Sequence, residues 1–286
     1  MFDADNLVHL DFLAVMNTRL MKGQKVLQGY LSAKNPVDTW VSGTFAIAFW
    51  TVNHLWHLGK YNLGLSSCLG GTGMCISADI VREFGWGCDC LTEDMEFSMK
   101  CLSHGIRTCW VHDAIIYDEK PLTFMASWRQ RKRWAQGQFD CSERYIPILM
   151  KEGFKRHSIV VLDGIMQLLQ NYFLLISAFY LVMTYINMFY PCFTVVLYND
   201  ALVPRQFWSV LGTIQYVLPL IVLLQIEVPA KIYLYWLIYP VFMYSWVPVT
   251  FLGWIHRHEK QWVHTIHTRS MQFQAASLTR KKEIDS

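Results

Sequence analysis

Three short clusters, in fixed order, hold the side chains that could do chemistry: Asp3 and Asp5 around Ala4, the run Thr92, Glu93, Asp94, and the run Gln130, Arg131, Lys132, Arg133, Trp134. Two carboxylates one residue apart on a strand end or turn can face a divalent cation, and hard oxygen ligands suit Mg²⁺ or Mn²⁺ bridging a diphosphate. Asp3 and Asp5 have that spacing. A carboxylate elsewhere could take a proton from an attacking hydroxyl if it stays ionised and within hydrogen-bond reach, and Asp94 is the candidate. Thr92 is a good N-cap for the run Met95–Cys101, which puts Glu93 and Asp94 in a first helical turn, where the macrodipole favours negative charge. Gln130, Arg133 and Trp134 stand at i, i+3 and i+4 and share one helix face. There Arg133 could fork onto phosphate oxygens and Trp134 could offer a flat apolar surface to a sugar ring.

Each cluster has a plain reading when taken singly. A D-x-D triplet also occurs in solvated turns, Thr-Glu-Asp is an ordinary helix start, and Arg129 to Trp134 also suits a basic amphipathic helix. The order, the separations of about ninety and about forty residues, and the apolar half that follows weigh for a shared site.

The elements that must position these groups alternate between helix and strand over residues 1–140. Leu10, Leu13, Met16 and Leu20 recur at three and four, which predicts a helix ending at Gly23, and Lys25–Tyr30 reads as a short strand. Trp40–Leu58 is an apolar helical stretch, with His54 and His57 expected at its polar edge. The loop containing Gly71, Thr72 and Gly73 either makes a tight turn or lets backbone approach a substrate, since glycine has no Cβ. Pro121 and Thr123 open the helix that carries Gln130 to Trp134.

Beyond Asp140 the character changes. Residues 141–160 mix apolar and basic side chains, as in a helix lying in a membrane interface. Within 161–256, the stretches Gly164–Asn199, Phe207–Ile226 and Ile232–Ile255 are each long enough for a bilayer core, giving three crossings, or four if Pro191, Pro240 or Pro248 splits one. Basic groups at Lys151–Arg156 and in residues 257–286 both favour the cytosolic side. In composition the 286 residues are 53% hydrophobic and 16% charged, which fits membrane residence. A net charge of +3 is too small to argue for nucleic acid. The eight cysteines are irregularly spaced, and no structural disulfide is expected in a reducing cytosol.

With these motifs, the stretch Leu27–Tyr30, the glycine loop and Tyr117–Pro121, the chain resembles the family 2 glycosyltransferases. The likeness is to the membrane-integrated branch with cellulose, chitin and hyaluronan synthases. That resemblance implies an α/β fold, the C-terminal part of a GT-A (Rossmann-like) domain over 1–140, followed by an α-helical transmembrane region. It also implies an inverting hexosyltransferase that moves a sugar from a nucleotide-sugar, a UDP-sugar, to a polysaccharide or lipid acceptor with a β-linkage. Carried over by motif, Asp5 with Asp3 holds Mg²⁺ or Mn²⁺ and Asp94 is the base. Gly71, Thr72, Gly73, Glu93, Gln130, Arg133 and Trp134 border donor and acceptor. The segment Trp262–Arg269 resembles tails that return to the active-site mouth. The expected location is the plasma membrane, with the catalytic domain cytosolic and membrane lipids as partners. In that family strands precede the D-x-D, so a nucleotide pocket is expected upstream of Met1, and these residues alone are expected to be inactive, with nothing within them able to position Asp3 and Asp5. The competing readings are a non-processive glycolipid synthase, a non-catalytic membrane scaffold, and a channel, against which stands the lack of buried ionisable residues in the spans.

Overall fold

The computed structural model describes residues 1–190 and 205–259. Its sheet is built around β2 (Val26–Ala33), all eight residues of which are buried, as expected of a strand covered on both faces. β2 runs parallel to β4 (Thr108–Asp118) and antiparallel to β3 (Met74–Ile76), while β1 (Leu7–Val8) closes the far side of β4 antiparallel, giving the order β1-β4-β2-β3. The β2–β4 register shifts between Gly29 and Tyr30. A Cβ on Gly29 would lie 2.6 Å from the Ala114 carbonyl oxygen, so only glycine fits there. The shift leaves Ala33 opposite Asp118 and brings the strand ends together, where Lys34 and Glu119 pair at 3.2 Å, both almost fully buried.

Helices flank this sheet: α1 (Phe12–Met21), α2 (Trp40–Thr51), α3 (Leu58–Asn62), α4 (Ala78–Phe84) and α5 (Glu93–Ser103). The α/β organisation expected from the sequence is therefore present. Two details differ. The buried face of α1 is Phe12 and Met16, while Leu10 and Leu13 are 64% and 71% exposed. The helix starts only at Phe12, so Leu10 is not on it. Trp40–Leu58 is not one α-helix either, because Val52–His57 forms a π-helical turn. That turn buries Asn53, whose amide donates to the Leu31 carbonyl, and stacks His57 on Trp110 at 4.7 Å, where burial holds its pKa near 4. His57 is thus a packed neutral ring and no polar-edge residue.

α6 (Phe124–Lys155) is the spine of the molecule. Thr123 caps it, its hydroxyl accepting from the Ala126 N–H at 3.2 Å, a contact worth about 1 kcal/mol. The boundary expected at 140/141 falls inside this helix. Nothing there interrupts it: Asp140 and Arg144 form an i, i+4 pair, and even Pro147 is accommodated. The chain turns only at His157, in the left-handed region at φ 47°, before Ser158 caps α7 (Ile159–Leu168). α8 (Gln170–Phe189) follows at a 50° bend. A bend frees carbonyls, and α6 satisfies them: the Gln138 amide donates to the Gln167 carbonyl and the Ser142 hydroxyl to that of Leu168.

Of the three stretches expected to cross a bilayer, the first contributes this bent pair. The second contributes α9 (Arg205–Gln225), a helix of 21 residues that carries Pro219. The third is the one described run long and apolar enough to cross a membrane straight: Lys231–Ile255, comprising α10 (Lys231–Tyr244) and α11 (Trp246–Ile255). α9 and α10 also dock on the α/β half, where Val222, Leu223, Ile232, Tyr235 and Phe242 share one core with Phe45, Ala46, Ile47 and Trp50 of α2. Gly43 makes this approach possible, because a Cβ there would overlap the Tyr235 ring. Elsewhere α8 and α10 present large apolar side chains outward, Phe179 and Leu181 on α8 and Leu234 and Val241 on α10, each at least 60% exposed. The expected break at Pro191, the segment Trp262–Arg269 and the basic residues Arg280–Lys282 lie outside the described residues.

Candidate active site

The three clusters converge at the C-terminal edge of the β2–β4 pair, where crevices form in open α/β sheets. Asp3 and Asp5 lie in the turn before β1, Asp3 exposed and Asp5 half-buried. Contrary to expectation, the chain itself holds this turn. Thr72 accepts the Asp3 N–H at 3.1 Å, Met74 N–H donates to the Met1 carbonyl, and the Lys34 ammonium donates to the Asp5 carbonyl at 2.9 Å. The Asn6 amide, oriented with its oxygen on the Thr72 hydroxyl, donates to the Asp5 and Asp118 carboxylates at 3.3 Å each.

The glycine loop divides in role. Gln28, buried in β2, holds it from beneath: its amide donates to the Thr72 carbonyl and its oxygen accepts the Gly70 N–H at 2.8 Å. Gly71, at φ 80°, faces the site, since a Cβ there would lie 3.5 Å from Asp94 Oδ2. Gly73, also expected to border the donor, faces inward: a Cβ would run into Ile116 Cδ1, so its missing side chain serves packing. Thr72, 4% exposed, belongs to the support of the D-x-D turn.

Asp94 sits in the first turn of α5, half-buried, with Oδ1 accepting the Met95 N–H at 2.8 Å. The macrodipole alone would keep it ionised. Burial outweighs that and pushes the carboxyl up to about 7; the Met95 N–H pulls it down, the neighbouring Glu93 charge pushes it up, and the Arg133 guanidinium pulls it down. Asp94 is thereby poised near neutrality as acceptor or donor of a proton. Glu93 points outward and is exposed. Thr92 occupies the N-cap position without a side-chain cap bond, and α6 passes close to it at Gly137, where a Cβ would lie 2.5 Å from the Thr92 hydroxyl and 2.7 Å from its nitrogen.

On α6, Gln130 and Arg133 are half-buried, and the Gln130 oxygen is buried without a hydrogen bond among the described residues. Trp134 turns toward α2, its ring 5.8 Å from Phe45 and 6.2 Å from Phe49, so much of the platform expected for a sugar is spent on packing. Arg131 is wholly buried. It donates to Ser245 Oγ at 2.8 Å and lies over Phe242 and Trp246, tying α6 to the junction of α10 and α11. The structure thus brings together Asp5, Thr72, Gly71, Asp94 and Arg133, with Gln130 beside them, and leaves Glu93, Gly73 and most of Trp134 to other surroundings.

Sequence reasoning missed Lys34, Asn6, Gly137 and Arg131. Only Gly137 carried a signal, a glycine one turn beyond Arg133 inside a helix, where it costs about 1 kcal/mol unless a close approach needs it. The seven cysteines among the described residues are all free thiols.

Residues 1–252 match the family described as "Glycosyl transferase family group 2". Over 80 residues the chain is 30% identical to the Bacillus subtilis (strain 168) protein named "Probable glycosyltransferase YdaM", an alignment covering 28% of this chain and 19% of that protein's length. The curled four-stranded sheet and its flanking helices are consistent with a GT-A glycosyltransferase domain. A family match across nearly the whole chain, with an acidic turn, a buried carboxyl and an arginine converging on one crevice, makes this protein a member of glycosyl transferase family group 2.

Proposed function

We propose that the protein is an inverting transferase of the membrane-integrated branch, moving a sugar from a UDP-sugar to a glycan or lipid acceptor at the plasma membrane, with the catalytic half cytosolic. The observation that carries this reading is the setting of Asp94: one half-buried carboxyl of pKa about 7, beside the open backbone of Gly71 and under the pull of Arg133. Inversion needs a single base. The acceptor hydroxyl gives its proton to Asp94 as its oxygen bonds to the anomeric carbon and the bond to the diphosphate breaks, so an α-linked donor yields a β-linkage. Arg133 would take up charge developing on the diphosphate, and Gln130 offers a free acceptor for a sugar hydroxyl.

Asp5, with Asp3, would hold Mg²⁺ or Mn²⁺. Their carboxylates are hard oxygen donors of the right class, while among the described residues no group of three His, Cys, Asp or Glu side chains could hold an ion without further ligands. Two carboxylates at a turn suit a cation that completes its shell with diphosphate oxygens and water. The ion would supply charge neutralisation at the leaving group. Outward apolar side chains on α8 and α10 support the membrane location. Membranes carrying the full-length protein, given a panel of UDP-sugars, should release UDP and glycosylate an endogenous acceptor. Asp94→Asn should abolish transfer while leaving donor binding largely intact, and chelation should stop turnover until Mn²⁺ is restored. Unchanged turnover in Asp94→Asn would remove the mechanism.

A further inference from the structure

Two residues beyond Asp94, Glu96 is a carboxylate, 4% exposed, that the transfer chemistry does not use. Its Oε2 accepts the backbone N–H groups of Asp89 at 2.7 Å and Cys90 at 2.8 Å. Its Oε1 faces the Arg144 guanidinium at 3.5 Å. Arg144 is aimed by a two-pronged contact with Asp140 at 3.0 and 3.1 Å and reaches the Asp89 carboxylate at 3.6 Å. Asp140 and Arg144 follow Arg133 on α6 by two and three turns. The segment they grip, residues 85–91, has no helix or strand of its own and leads straight into Thr92, Glu93 and Asp94. Buried charge is costly unless fully bonded, and here two N–H donors and a guanidinium compensate it.

We infer that Glu96 and Arg144 form a positioning clamp that fixes the segment before Thr92 to α6, and so sets Asp94 in register with Arg133. The inference rests on Asp94 being the base. Catalysis is steep in geometry, with roughly 100-fold lost for about 1 Å of misplacement, so a relaxed segment costs turnover without emptying the donor site. Residues 85–91 lead directly into Asp94, so loosening them would open its carboxyl to water. The charged or titratable groups facing Asp94 are Glu93 on α5, Arg133 on α6 and Cys68 before the glycine loop, and none of them is altered by changing the clamp.

The test compares Glu96→Ala, Glu96→Gln, Arg144→Ala and Asp94→Asn in the full-length protein, using the UDP-sugar with the highest turnover. Glu96→Ala should lower kcat about 100-fold with donor KM within about threefold of wild type. Glu96→Gln keeps an oxygen for the two N–H groups and should restore most of that loss. Arg144→Ala should lower kcat about 10-fold and move the acid limb of the pH profile downward, as water reaching Asp94 relieves its burial. Arg144 is partly exposed, so that variant and Glu96→Gln carry the test if Glu96→Ala does not fold. Wild-type kcat in Glu96→Ala or Arg144→Ala with an inactive Asp94→Asn overturns the clamp alone. So does a loss that tracks melting temperature with no movement of the acid limb. An active Asp94→Asn overturns the base itself, a separate result.

Discussion

Replacing Asp94 by Asn should stabilise the protein, and only above a definite pH. Burial raises the carboxyl from 3.8 to about 7. At about 1.36 kcal/mol per unit, that shift of about 3 units makes the ionised form roughly 4 kcal/mol less favourable in the fold than in the unfolded chain. The side chain still reaches solvent along part of its surface, and screening takes roughly half, leaving about 2 kcal/mol. The sign follows from proton counts. Between about pH 4 and pH 7 the folded state holds a proton that the unfolded state has released, so wild-type stability falls as pH rises through that window and is level above it. Asparagine has no proton to lose. The melting temperatures of the two proteins in detergent should therefore coincide near pH 4 and separate by roughly 4–8 °C at pH 8, with the variant higher. Equal melting at pH 8, or a gap that widens toward acid, would refute the assignment of burial as the dominant influence on Asp94.

Two other substitutions probe how the site is held. Gly137→Ala, which by helix propensity alone would gain about 1 kcal/mol, should instead lose about 1–3 kcal/mol and slow turnover, because its methyl would strike Thr92; a raised melting temperature would show that α6 does not press on that segment. Lys34→Met removes the cation facing the buried Glu119 carboxylate and the anchor of the Asp5 carbonyl, and should cost about 3–5 kcal/mol in denaturant unfolding. Adding Glu119→Leu should recover most of that loss, and a double variant no more stable than Lys34→Met would contradict the pairing.

Much of α6 was legible before folding was considered. Thr123 caps α6 because a threonine followed by helix-forming residues does so locally, and the i, i+3, i+4 spacing fixes the common face of Gln130 and Arg133 whatever surrounds it. The same local logic located α5 and put Asp94 in its first turn. It could not reveal that α6 continues through residue 140, since the contacts that support its second half come from α7.

By itself the sequence determined which chemical groups this protein carries, their order, which helices bear them, and that a long apolar half follows. Those properties follow from residue type and from spacings within a few turns. Only the tertiary structure decided that Asp94 stands near neutrality, that Gly71 faces the site while Gly73 faces Ile116, that Trp134 spends its ring on α2, and that Lys34, Thr72 and Asn6 hold the acidic turn. Each of these depends on burial or on contacts between residues tens of positions apart. Desolvation and close packing are set by which segments meet in space, a property that no local spacing encodes.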